Sequence, residues 1–200
     1  MDMFADPTAR AVLIAKANKF GNKGLQRMQG SSIVKYHFLP MDGRTTFRFF
    51  ENVNTTRFPF TNLTENKLQV GEGMVLERGY FAIMSVTDPD AALPTVADVN
   101  TLRAFGFGGL YISNLNFNIA NNQVLKPIPL TSFESNFNRH ANFQNNDVFR
   151  FDTDTTLQPL IEFVGELRTP TYAVADPPPT LFLGLFIEGR GAILNPRTNF

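Results

Sequence analysis

Two histidines, His37 and His140, and two carboxylates four residues apart, Glu162 and Glu166, are the side chains best suited to acid–base chemistry in this chain. A Ser/His/Asp triad would need one of those histidines and a sharp turn presenting the serine, yet no Gly-x-Ser-x-Gly pattern occurs. Both histidines therefore read as structural or surface residues. Glu162 and Glu166 could act as a glycosidase pair only if the fold set them about 5–10 Å apart across a cleft. On one strand they share a face, and solvated carboxylates are the simpler reading. Asp152-Thr153-Asp154 offers oxygens to a calcium ion, but the spaced third acid and the closing Glu of a calcium loop are missing. Gly106-Phe107-Gly108-Gly109 lacks the Lys-Ser/Thr of a phosphate loop and reads as a bend. Asn54-Thr55-Thr56 and Asn62-Leu63-Thr64 match the glycosylation sequon, a pattern frequent by chance. With no cysteine there is no disulfide, thiolate metal site or thiol nucleophile. The expectation is a protein with no catalytic site, no cofactor and no metal.

The elements that would carry other work change character near residue 30. Asp6-Pro7 places a carboxylate at a helix N-cap and a proline at the first helical position. Ala9, Val12, Leu13 and Ala17 recur near a 3.6-residue period and Phe20 follows, before Gly21 and Gly24 weaken the helix. From Ala9 to Gln29 the charged residues are Arg10, Lys16, Lys19, Lys23 and Arg27, with no acid among them. Such an arm suits an anionic surface, either packaged nucleic acid or lipid headgroups. The alternative is an ordinary helix packed on the body with its charges in solvent.

Composition bounds the rest. The chain has 200 residues, 43% of them hydrophobic, and its 21 Phe can fill a core. Basic and acidic residues balance at 18 each, so the body beyond the basic arm carries an excess of carboxylates. The longest apolar run, Leu181 to Ile187, is strand-sized and short of the roughly 18 residues of a membrane span. Asp2 and Asp6 interrupt any secretory signal. A soluble chain made in a cytoplasm is expected.

From Ser31 onward the signals are strands and turns. Ile33–Leu39 and Thr45–Phe50 are separated by the turn Pro40-Met41-Asp42-Gly43, and Phe47 and Phe49 share a face while Arg48 points away. Met74–Val86 is a long strand with Gly79 as its expected bulge. Leu115, Phe117 and Ile119 alternate with asparagines before a turn at Asn121-Asn122. Further strands are expected at Val148–Phe151, Leu157–Leu167, Leu181–Ile187 and Ala192–Leu194. One interruption reads as a helix: Thr95-Val96-Ala97-Asp98 resembles a capping box, with Val96, Val99, Leu102 and Phe105 on one side. Phe47-Arg48-Phe49 is echoed at Phe149-Arg150-Phe151, which suggests an internal repeat but in a Phe/Thr-rich chain reads more simply as coincidence. The pattern predicts an all-β sandwich or jelly roll, either two compact barrels side by side or one elaborated eight-stranded roll. The expected division is a helical arm over 1–30, a first β-barrel region over 31–130, and a second barrel or completion of the first over 131–200.

The stretches Phe47-Arg48-Phe49-Phe50-Glu51-Asn52 and Phe58-Pro59-Phe60-Thr61-Asn62-Leu63, with the strand Met74–Val86, resemble the first barrel of small viral major capsid proteins. Leu157–Leu167, the Asp176-Pro177-Pro178-Pro179 loop and Leu181–Gly189 are similar to their closing strands. The family is the double-jelly-roll capsid proteins of tailless icosahedral bacteriophages. The resemblance implies a structural virion protein whose homotrimers form pseudo-hexagonal tiles of a shell alongside other capsid proteins. It also implies an N-terminal helix turned toward the interior, where Arg10, Lys16, Lys19, Lys23 and Arg27 would meet an internal membrane or the packaged genome. At 200 residues the chain is very short for two complete barrels. The rival function is a carbohydrate-binding β-sandwich that uses exposed aromatics such as Tyr80 or Tyr111, or a receptor-binding virion protein.

Overall fold

The computed structural model describes residues 28–100, 113–129, 148–151, 154–171 and 181–194. These form ten strands: β1 (Met28–Pro40), β2 (Thr46–Phe49), β3 (Glu72–Thr87), β4 (Thr95–Asn100), β5 (Asn114–Ile119), β6 (Asn122–Pro129), β7 (Val148–Arg150), β8 (Thr156–Leu157), β9 (Phe163–Arg168) and β10 (Leu181–Leu194). The expected all-β class is what forms, as two antiparallel sheets. Among the described residues the one helical element is a 3-10 turn, Val53–Thr55. The arm over 1–30 falls, apart from the first residues of β1, outside the described residues.

One sheet runs in the order β1-β10-β3-β4, with β7 and β8 also pairing to β3. The other runs β2-β9-β5-β6. Strands from 148–194 thus lie between strands from 28–129 in both sheets. The two Phe-Arg-Phe stretches are in different sheets, Phe47 and Phe49 on β2 and Phe149 on β7.

Alternation builds the core between the sheets. Phe47, Phe49, Leu115, Phe117, Phe163 and Leu167 point inward from one sheet, and Met74, Leu76, Phe81, Ile83, Leu183, Leu185 and Ile187 from the other. Phe49, Gly165 and Phe117 lie side by side across three strands. Gly165 leaves a gap between the two rings that Leu185 of the opposite sheet enters: a Cβ there would lie 2.6 Å from Leu185 Cδ2.

Two expectations are corrected. Residues 95–100 are a strand paired with Ile83–Thr87, not the start of a helix; Leu102 and Phe105 lie outside the described residues. The helical spacing of Val96 and Val99 comes from a bulge. Val96 opposes Val86, Val99 opposes Met84, and Ala97 is the extra residue that returns both valines to one face. The long strand β3 does bulge, but at Glu77, since Arg78 opposes Glu188 while Leu76 opposes Gly189. Gly79 instead makes room for the Phe149 ring, whose Cζ would lie 2.3 Å from an added Cβ.

The free edge of β1 is covered along Val34–Phe38. Phe38 N donates to Phe60 O at 2.7 Å, and Thr61 bridges His37. The Asn62 side chain substitutes for a neighbouring strand: Oδ1 accepts from Tyr36 N at 3.0 Å and Nδ2 donates to Val34 O at 2.8 Å. Asn62→Ala is expected to lower stability by about 1 kcal/mol, read as a fall in urea midpoint. An unchanged midpoint would mean that water serves those groups equally well.

Candidate functional surface

The outward face of the six-stranded sheet departs from the polar exterior of an ordinary half-solvated sheet. Alternate positions of β1, β10 and β3 place Tyr36, Phe186 and Tyr80 in one row, because Tyr36 opposes Phe186 and Phe186 opposes Tyr80. Their rings stack, Tyr36 on Phe186 at 5.2 Å and Phe186 on Tyr80 at 4.7 Å between centroids. Beyond this half-buried row lies a second apolar cluster of Phe38, Phe60, Ala82, Met84, Val86 and Phe182. Gly184 permits it, since a Cβ there would sit 2.4 Å from the Phe38 ring.

A charged row borders the aromatic one. Arg150 of β7 opposes Arg78 of β3, which opposes Glu188 of β10. Like charges facing each other are unfavourable, and Glu188 relieves this by accepting from Arg78 Nε at 2.5 Å. Arg150 has no ion-pair partner among the described residues. The bulge residue Glu77 reaches back to Arg190. Arg78, Arg150, Glu77 and Arg190, with Val75, Leu76, Phe151 and Asp154, line an open cleft of about 610 Å³. Burial, and next the Glu188 carboxylate, push the Tyr80 phenol up to about 12. Tyr80 therefore stays a neutral hydroxyl at any physiological pH.

The residues singled out from sequence are dispersed. Arg10, Lys16, Lys19, Lys23 and Arg27 lie outside the described residues, as do Tyr111, His140, Asp152, Thr153 and the Gly106–Gly109 bend. His37 is fully buried. Its Nδ1 accepts from the Phe50 N–H at 2.8 Å, so the neutral ring carries its proton on Nε2, 3.4 Å from Thr56 Oγ1. The Glu162 backbone pairs with that of Lys67 in an isolated β-bridge before β9 begins. Glu166 lies within β9, held by Arg168 at 2.7 Å and Arg48 at 3.8 Å. Four extended residues separate the two carboxylates by about 13 Å along the chain, beyond the reach of a glycosidase pair. Asp154 lines the arginine cleft rather than a calcium loop, and among the described residues no three acids or histidines gather as a metal site. Of the sequons, Asn54 is exposed and Asn62 is occupied as the β1 edge cover.

Sequence reasoning missed the aromatic row and the Arg150–Arg78–Glu188 row. Their members are 36, 80 and 186, and 78, 150 and 188, brought together only by strand pairing. The available signal was Tyr80 two residues after Arg78, and Phe186 two before Glu188: an aromatic and a charge on one strand face.

Comparison with protein-family models, with curated proteins and with solved structures finds no match.

Proposed function

We propose that this chain is a structural protein that self-associates, through trimers, into an icosahedral virion shell, and that its sandwich is a single eight-stranded jelly roll. One observation carries the reading. Setting β4 aside as an added edge strand and counting β7 and β8 as one interrupted strand leaves eight. They pair first with last (β1·β10), second with seventh (β2·β9), third with sixth (β3·β7/β8) and fourth with fifth (β5·β6). That nesting is what rolling up one long antiparallel ribbon produces, the topology of jelly rolls in capsid and lectin domains. It favours one elaborated roll over two compact barrels side by side. The fold by itself does not assign function; the basic arm and the apolar outward face add the expectation of neighbours.

The test is assembly. Purified protein, followed by light scattering after size exclusion and by negative-stain micrographs, is expected to show trimers and closed particles. A monomer of 22.4 kDa at every concentration and salt would overturn the reading. The arm has its own prediction. Changing Arg10, Lys16, Lys19, Lys23 and Arg27 together to glutamine is expected to reduce genome or membrane retention and particle yield, while the body keeps its far-UV circular dichroism. Each charge near an anionic membrane contributes about 1 kcal/mol, so removing five abolishes binding to anionic vesicles. Equal vesicle binding by the variant would leave the arm as an ordinary packed helix.

The half-buried aromatic row favours a second reading, a carbohydrate-binding or receptor-binding sandwich. Phe186 is the middle ring of the stack, so the end rings, Tyr36 and Tyr80, are the ones left to meet a sugar. Glycan binding by a monomer, lost in Tyr80→Ala, would select this reading over the shell.

A further inference from the structure

We propose that β4 is a self-pairing strand through which two copies of the chain join their six-stranded sheets across a two-fold axis. The proposal rests on the shell-forming reading and names a surface that would link its trimers. Open strand edges template association, and proteins guard them with short strands, prolines, charged side chains, bulges or covering loops. Nearly every described edge here is guarded. The β1 edge is covered along Val34–Phe38 by Phe60, Thr61 and Asn62. β2, β7 and β8 have four, three and two residues. β6 carries Lys126 and two residues without an N–H, Pro127 and Pro129.

β4 has only the bulge at Ala97 and one acid, Asp98, to guard it. It has six residues, Thr-Val-Ala-Asp-Val-Asn, with neither proline nor lysine. Thr95 to Val99 are all exposed, and among the described residues no strand pairs with its far side. Through the bulge at Ala97, Val96 and Val99 both extend the apolar outward face beyond Met84 and Val86, where they remain 38% and 49% exposed. Leu93 precedes the strand at 70% exposure. Phe58, also exposed, follows Arg57, whose guanidinium holds the Asp90 and Ala91 carbonyls of the same hairpin.

Side-chain complementarity, with no like charges opposed, selects a second copy as the occupant. Antiparallel pairing of β4 with itself can set Val96 opposite Val99 and Ala97 opposite Asp98, so the single acid of one copy faces the alanine of the other. A head-to-tail junction of β4 with β1 is blocked along Val34–Phe38 by the cover already in place. A six-residue strand pair covers less than the roughly 1,200 Å² that a stable isolated dimer needs. The contact therefore forms within an assembly rather than as a free dimer.

The chain contains no cysteine, which makes the contact directly readable by engineered disulfides. Val96→Cys and Val99→Cys proteins, mixed in equal amounts under assembly conditions and mildly oxidised, are expected to give a linked heterodimer. Its yield should exceed either protein alone, and a Gln123→Cys control on β6, by several-fold, because only facing positions meet disulfide geometry. Both valines are exposed, and circular dichroism would verify that the variants fold. Particles that assemble without this linkage overturn the β4 contact and leave the shell reading standing. A protein that stays monomeric and unlinked under all conditions overturns the shell reading and the contact with it.

Discussion

Replacing Phe117 with alanine is expected to lower the unfolding free energy by about 3–5 kcal/mol, the range for a large ring deleted from a packed core. Phe117 is fully buried on β5, and its ring meets Phe151 at 5.7 Å, Phe163 at 6.2 Å and Phe50 at 6.5 Å. It also walls the gap over Gly165 that receives Leu185. Its neighbours are set by three strands and one turn, so the void cannot close by a single rotamer change. A domain of this size holds about 5–15 kcal/mol in total, so the variant loses about a fifth or more of its stability. Urea unfolding measures this directly. Phe58→Ala, at a ring 67% exposed, serves as the control and is expected to shift stability by less than about 0.5 kcal/mol. A Phe117 loss under about 1 kcal/mol would show that the sheets do not pack through this row.

The second large effect is acid sensitivity through His37. Burial lowers its pKa to about 4, and its Nδ1 is already an acceptor for Phe50 N–H. Among the described residues it meets Phe50, Thr56, Thr61 and its β10 neighbour Leu185, none of them charged. No anion among these contacts welcomes a proton. The unfolded chain binds that proton from near pH 6.5, the native state only near 4. The His37 contribution is therefore fully present above pH 6.5, falls as pH drops from 6.5 toward 4, and is spent below it. At 1.36 kcal/mol per unit this comes to roughly 3 kcal/mol. His37→Asn keeps an acceptor near the Phe50 N–H and cannot titrate. It is expected to be less stable than the parent at pH 7, and to close or reverse that difference by pH 4. Parallel stability–pH curves for the two proteins would show that His37 does not carry the effect.

The class of fold was legible in the residues because strand alternation is a local property. Phe47-Arg48-Phe49 and Leu115-Asn116-Phe117 state which side chains face the core before any partner strand is known. The turn after β1 was equally local: Gly43 adopts a positive φ of 87°, which the sequence Asp42-Gly43 anticipates. Thr95–Asn100 misled for the opposite reason. Its three-residue valine spacing fits a helix and also fits a bulged strand, and the open ladder of Ile83–Thr87 decided between them.

What tertiary structure alone determined is who meets whom across the chain. His37 became an internal acceptor because β1 passes behind the turn at Phe50, 13 residues later. Asn62, which by sequence is only a sequon residue, became the cover of an edge it reaches across 28 residues. Arg78 and Glu188, 110 residues apart, form one pair because β10 lies beside β3. Periodicity fixes the face of a side chain, but not the register or the neighbour, which depend on closing long loops around a shared core. The sequence thus determined an all-β body of buried phenylalanines behind a basic arm. Pairing of its first strand with its last, its second with its ninth and its third with its seventh and eighth decided the surfaces that can meet a partner.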